Sequence, residues 1–178
     1  MRRASLALAF WLAAGAASAG TPGEKDLSSG WRFRLAQGTE AGAHPELKDW
    51  LPAQVPGAVQ TDLLALKRIE DPFWRDNEAG LQWIGLSDWD YRLDFDVDAA
   101  TLARGHVDLV FDGLDTFAEV KLNGRKVLVA DNMFRQWRVP VRDNLHKGGN
   151  TLEVHLQSPI ARLLPWLTAE GNLDFALT

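Results

Sequence analysis

The sequence predicts an all-β fold, an antiparallel β-sandwich or jelly roll that carries one long irregular segment. Three observations predict it. Between Trp89 and Gln157 the apolar residues recur at every second position in short runs, which is the period of half-buried strands. Turn signals separate the runs, among them Asn123-Gly124 and Gly148-Gly149-Asn150. A helical period is almost absent, as in chains that fold into sandwiches and jelly rolls.

Taken in order, Gly30 to Leu35 alternates, with Trp31, Phe33 and Leu35 on one face, and reads as the first strand. The Gly/Ala-rich stretch 37–45 reads as a loop. Val55 to Tyr91 holds Pro, Gly, Asp, Asn and four Trp/Phe residues and shows neither period; structured loops of that length are usually functional or docked against something. Inside it, Thr61 to Lys67 fits a short helix with Thr61 as its N-cap.

Trp89, Tyr91, Leu93, Phe95 and Val97 then point one way, and Asp90, Arg92, Asp94 and Asp96 the other. Val107, Leu109 and Phe111 repeat the pattern. Phe117–Leu122 and Val127–Ala130 flank Asn123-Gly124, the favoured pair for a type I′ hairpin, whose two central residues both need positive φ. Phe134 to Val141 is a further strand, with Pro140 marking its end or an edge. Thr151 to Gln157 is the last strand and stops at Ser158-Pro159.

The ends read differently. Met1-Arg2-Arg3 is basic, 4–15 is apolar, and Ala17-Ser18-Ala19 is a small-x-small cleavage site. Residues 1–19 are therefore expected to be a signal peptide, the apolar run being too short for the roughly 20 residues of a spanning helix. The sandwich is assigned to 20–162. The tail, 163–178, carries Leu163-Leu164-Pro165-Trp166-Leu167, an apolar patch with no strand partner, and is expected to lead to downstream domains that are missing or truncated. The leader implies a periplasmic or secreted protein.

The net charge of −5 argues against nucleic acid or an anionic membrane as partner. The chain has no Cys, so it must hold itself together by packing alone. No metal or other cofactor is expected. Asp94, Asp96 and Asp98 fall on the outer face of a half-buried strand, and His44, His106, His146 and His155 lack metal-ligand spacing. No G-x-S-x-G, phosphate loop or H-E-x-x-H occurs. Glu70-Asp71 and Asp76-Asn77-Glu78 could be read as a carboxylate pair for glycoside hydrolysis, but Asp-Pro and Asp-Asn are also plain turn formers. Of the eight Trp, Trp31 and Trp89 sit on inward strand faces. Trp74, Trp83 and Trp89 cluster in or beside the irregular segment, where indole faces either pack or stack on sugar C–H faces.

Val55-Pro56-Gly57, Thr61-Asp62-Leu63-Leu64, Ile69 to Asp71-Pro72-Phe73, Asn77-Glu78, Leu81-Gln82-Trp83-Ile84 and Asp88-Trp89 resemble the N-terminal region of family 2 glycoside hydrolases, the β-mannosidases in particular. Phe111-Asp112-Gly113-Leu114-Asp115-Thr116, Val120-Lys121-Leu122-Asn123-Gly124, Asn132-Met133-Phe134 and Gly149-Asn150-Thr151-Leu152 extend the likeness, which spans about residues 26–160. The resemblance implies a galactose-binding-domain-like jelly roll at the head of an enzyme that removes terminal β-D-mannose with retention. It also implies that the catalytic glutamates lie on a later (β/α)8 barrel. No residue here matches either glutamate, so no catalytic residue is assigned and the chain alone is expected to be inactive. The G-W-D-W-G-P-R type motif of the family does not appear before Thr178.

On this resemblance the domain braces the barrel and walls its pocket. Asp71, Asn77, Glu78, Gln82 and Trp83 are its sugar-binding or domain-docking candidates, and mannosides and the barrel are its partners. A free-standing carbohydrate-binding module and an inactive truncated remnant are the alternatives.

Overall fold

The computed structural model describes residues 23–36 and 42–169; the expected signal peptide and the last residues of the tail lie outside that range. Among the described residues there are eight strands: β1 (Arg32–Leu35), β2 (Leu51–Pro52), β3 (Trp89–Val97), β4 (Asp108–Phe111), β5 (Phe117–Leu122), β6 (Arg125–Ala130), β7 (Trp137–Pro140) and β8 (Gly148–Gln157). Six of them form one antiparallel sheet in the order β2-β1-β3-β8-β5-β6, and β4 pairs with β7 in a second, smaller sheet. The two sheets share one core, so the predicted sandwich class holds.

Alternation builds that core. Phe33 and Leu35 on β1, Trp89, Tyr91 and Leu93 on β3, Val120 and Leu122 on β5, and Leu152 and Val154 on β8 are all buried on one face of the large sheet. Each large side chain so buried contributes roughly 1.5–3 kcal/mol. Leu109 of β4 and the half-buried Val139 of β7 close over them from the small sheet. Phe33 meets Trp89 and Tyr91 at ring-centroid distances of 5.8 and 5.9 Å. The opposite face of the large sheet is polar, as the alternation requires.

The hairpin is as expected: Asn123 and Gly124 have φ of 52° and 77° between β5 and β6. Asn123 also reaches beyond its own turn. Its Nδ2 donates to the Asn144 carbonyl at 2.7 Å and to Asn150 Oδ1 at 2.9 Å, and its Oδ1 accepts the Thr151 N–H at 2.9 Å. Asn150 is buried and fully bonded: Oδ1 accepts the His146 N–H, and Nδ2 donates to the His146 and Gly148 carbonyls, each at 2.8 Å.

Four expectations need correction. The chain is less poor in helix than its pattern suggests, with α1 (Val59–Ala65), α2 (Asn77–Gly80), α3 (Gln82–Leu86), α4 (Ala99–Leu102) and α5 (Pro159–Ala169). Helix α1 starts two residues earlier than expected, with Ala58 as its N-cap and Thr61 inside its first turn. The strand read from Phe134 shrinks to Trp137–Pro140, because Asn132 Oδ1 accepts the Phe134 N–H and turns the chain. Strand β8 in turn absorbs the Gly148-Gly149-Asn150 stretch that reads as a turn.

The start of the tail is helical. Ser158 is the reason: its Oγ accepts the Ala161 N–H at 2.9 Å as an N-cap, and Pro159 follows at the first helical position. The pair that reads as a strand stop is therefore equally a helix start.

Candidate functional site

The irregular segment descends over the inner face of the large sheet and supplies part of its core through Leu63 and Ile84. Its head is set by Gly57, where a Cβ would stand 2.3 Å from the Gln54 carbonyl oxygen. Only glycine permits that approach. Thr61 Oγ1 donates to the Ala58 carbonyl at 2.6 Å and accepts the Ala58 N–H at 3.3 Å, bracing the first turn of α1.

Asp62 is buried, and its Oδ1 takes the Gln54 N–H at 3.1 Å while Oδ2 has no hydrogen-bond partner. Burial pushes its carboxyl above the ordinary value, and the Gln54 bond offsets this only in part. Burial, with the nearby Asp62 charge, likewise pushes the Tyr91 phenol well up. Helix α1 ends with Lys67 at a φ of 55°. The Lys67 N–H donates to the Leu64 carbonyl and the Arg68 N–H to the Leu63 carbonyl at 3.0 and 2.8 Å, the double closure of a Schellman cap.

Among the five residues singled out from the sequence, Asp71 and Asn77 come together. Asn77 Nδ2 donates to the Asp71 carbonyl at 2.9 Å, and Asp71 Oδ1 accepts the Phe73 N–H at 2.9 Å. Glu78 and Gln82 form a second pair, since Gln82 Nε2 donates to the Glu78 carbonyl at 3.2 Å. The side chain of Glu78 is exposed. Trp83 stands apart from these four and is half-buried. Its ring stacks on His44 at 3.7 Å and tilts against Trp89 at 6.1 Å. One indole face is therefore already covered, and Trp83 ties the segment to the core.

Two features escaped the sequence. Phe73 is 97% exposed and Trp74 62% exposed, side by side at the tip of the segment; sequence pattern marks them as aromatic but not as bare. An open cavity of about 480 Å³ lies between the head of the segment and the sheet, with Trp31, Pro56, Gln60, Trp89, Tyr91 and Ser158 among its walls. Among the described residues, no group of three or more His, Asp or Glu is placed to hold a metal ion, and no helix is long and apolar enough to cross a membrane. Exposed aromatics rimmed by carboxylate and amide groups suit the binding of a surface or a sugar.

The fold and this segment define a β-sandwich domain of the galactose-binding type. The chain belongs to the glycosyl hydrolase 2 galactose-binding domain-like family, whose model matches residues 31–173. It is 38% identical to β-mannosidase B of Aspergillus terreus over 141 residues, 78% of this chain and 16% of that protein. It is 38% identical to β-mannosidase of Bos taurus over 110 residues, 62% of this chain and 12% of that one. The solved β-D-mannosidase of Dictyoglomus thermophilum matches with a TM-score of 0.72 and 39% identity, over 80% of this chain and 16% of that chain. An exo-chitosanase of Amycolatopsis orientalis, at 23% identity and a TM-score of 0.60, shares the fold. The chain thus spans 16% of the length of the first of these relatives.

Proposed function

We propose that the chain is the N-terminal, non-catalytic β-sandwich of an exported family 2 β-mannosidase. The full-length enzyme hydrolyses terminal β-D-mannose residues, and this domain braces its catalytic barrel and shapes the pocket. The observation that carries the reading is the match to β-mannosidases at 38% identity across most of this chain but only 16% of theirs. A domain-sized share at that identity belongs to a larger enzyme whose chemistry lies elsewhere.

The irregular segment is the docking surface in this reading. Its tip presents Phe73 and Trp74, the kind of aromatic anchor that carries interface energy. Asp71, Asn77, Glu78 and Gln82 form a polar rim beside it, and Trp83 fixes the segment to the sheet. The test is an aryl β-mannoside assay on the pure chain. No turnover is expected; turnover that disappears in Glu78→Gln would overturn the reading.

A further inference from the structure

The open cavity of about 480 Å³ is built by three separate parts of the chain. Its floor is the inner side of the large sheet, where Trp31, Trp89 and Tyr91 are 7%, 4% and 8% exposed. Val55 and Pro56 of the segment head, Leu156 of β8, and Leu114 with Met133 supply the walls. The frame is preset. Phe33 backs the rings of Trp89 and Tyr91 at 5.8 and 5.9 Å. A Cβ on Gly113 would stand 3.2 Å from the Met133 carbonyl oxygen, so the two chains of that wall lie against each other.

Most polar groups of the cavity are already bonded elsewhere. The Trp31 indole N–H donates to the Leu27 carbonyl at 2.6 Å and the Trp89 indole N–H to the Ile84 carbonyl at 3.1 Å. Ser158 gives its N–H to Asp88 and its hydroxyl to the Gly85 carbonyl, and Gln157 Oε1 accepts from Arg162. At the rim, the Asp115 carboxylate accepts the Thr116 hydroxyl. One buried group is left over. Among the described residues the Tyr91 phenol has no hydrogen-bond partner, and neither oxygen of the nearby Asp62 bonds to it. Burial keeps that phenol protonated, so it is a donor without an acceptor.

These facts narrow the ligand. A sugar brings several hydroxyls, and the floor has one group to meet them. Asp115 is the single charged residue among the described walls, which disfavours an anion. A dry cavity of about 150 Å³ holds one benzene ring, so the volume here has room for two fused rings. Met133 offers a polarisable sulfur at the rim, which favours aromatic over saturated carbon.

We propose that this cavity binds a neutral, flat, two-ring aromatic molecule that carries one hydrogen-bond acceptor. The rings fill the space above Trp31 and Trp89, and the acceptor takes the Tyr91 O–H. The site is apart from the Phe73 and Trp74 tip and does not rest on the β-mannosidase reading. A ligand of about 13 heavy atoms at ordinary efficiency binds with a dissociation constant on the order of 0.1–1 mM.

The test is a two-dimensional 15N–1H NMR titration of the full chain with 2-acetylnaphthalene, a neutral ketone. Naphthalene, 2-naphthoate and methyl β-D-mannopyranoside are run in parallel. The ketone should give saturable shifts at the Trp31 and Trp89 indole N–H groups and at the Leu114 and Met133 amides. 2-Naphthoate should bind about tenfold more weakly, and the mannoside should leave these signals in place. Tyr91→Phe keeps the ring and should weaken the ketone about fivefold while changing naphthalene less than about twofold. Met133→Glu, at an exposed position, should weaken both neutral ligands about fivefold or more, and it keeps the test open should the first variant fold poorly. The proposal falls if the shifts gather at Trp74 instead, if 2-naphthoate or the mannoside binds as well as the ketone, or if Tyr91→Phe binds the ketone as wild type does. The readout is binding, so it stands or falls separately from the turnover assay on an aryl mannoside.

Discussion

Phe33 and Phe73 mark two regions held by different forces. Phe33, on β1, is 0% exposed against Trp89 and Tyr91; Phe73, in the irregular segment, is 97% exposed. The sheet is held by long-range pairing, β3 matching β8 over nine successive positions. The tip of the segment is held by short local bonds from side chain to backbone, such as Asn77 to Asp71 and Gln82 to Glu78. The first region completes its own packing, whereas the second keeps its shape while leaving its aromatics bare. A surface shaped in advance loses little entropy when it is covered, which suits a docking element.

The largest effect should separate the two phenylalanines. Phe33→Ala is expected to cost about 3–5 kcal/mol in urea unfolding, and Phe73→Ala less than about 0.5 kcal/mol in the isolated chain. A large loss from Phe73→Ala would show that the segment tip packs on its own domain and would break the contrast.

Asn150→Ala should come next, at about 2–3 kcal/mol, because it leaves the His146 N–H and two carbonyls without their partner in a buried site. A loss under about 0.5 kcal/mol would mean that water replaces the amide.

The polar face adds a smaller, pH-dependent term. Bonding to Asp90, partly offset by burial, holds the His155 imidazole above its ordinary value, with Asp88 and Glu119 adding to it. Burial pushes the Asp90 carboxyl up, but His155 and Arg34 outweigh it and hold it below its usual range. A histidine raised on folding stabilises fully below its unfolded pKa of about 6.5. That contribution fades as pH climbs through the folded value. Wild type should therefore lose stability relative to His155→Gln as pH rises from about 6 to 8, read as the difference between two melting curves. Parallel curves would sink the account.

The smallest effect belongs to the segment and has the opposite sign. Lys67 occupies the left-handed position that closes α1, so Lys67→Gly should stabilise by about 0.5 kcal/mol. A loss on this change would mean that the lysine side chain contributes more than its backbone strain costs.

The strands were legible because period two repeats within a few residues, and the hairpin because Asn-Gly is one of the few pairs that satisfy two positive φ values cheaply. Helices α2 and α3 were not, since four and five residues are too few for a 3.6-residue period to show itself. Helix α5 was hidden by Ser158-Pro159, which closes a strand and caps a helix with the same two residues. In the candidate site, the roles of Asp71 and Asn77 as turn residues could be read locally. The stacking of His44 on Trp83 could not, because nothing near either residue announces a partner so distant in sequence. The row of Arg34, Asp90, His155 and Glu119 on the polar face, one from each of four adjacent strands, needed their register, which no single strand encodes.

Ser158 ties three parts of the chain at one corner. Its N–H donates to Asp88 Oδ1 at 2.7 Å where the segment enters β3, its Oγ donates to the Gly85 carbonyl of α3 at 2.6 Å, and the same Oγ caps α5. A load applied along α5 therefore reaches the segment through this corner and through the packing of Ile160 beside Gly85 of α3, without passing through the sheet. Whatever chain pulls on that helix would tilt the segment as a lever tilts about its pivot.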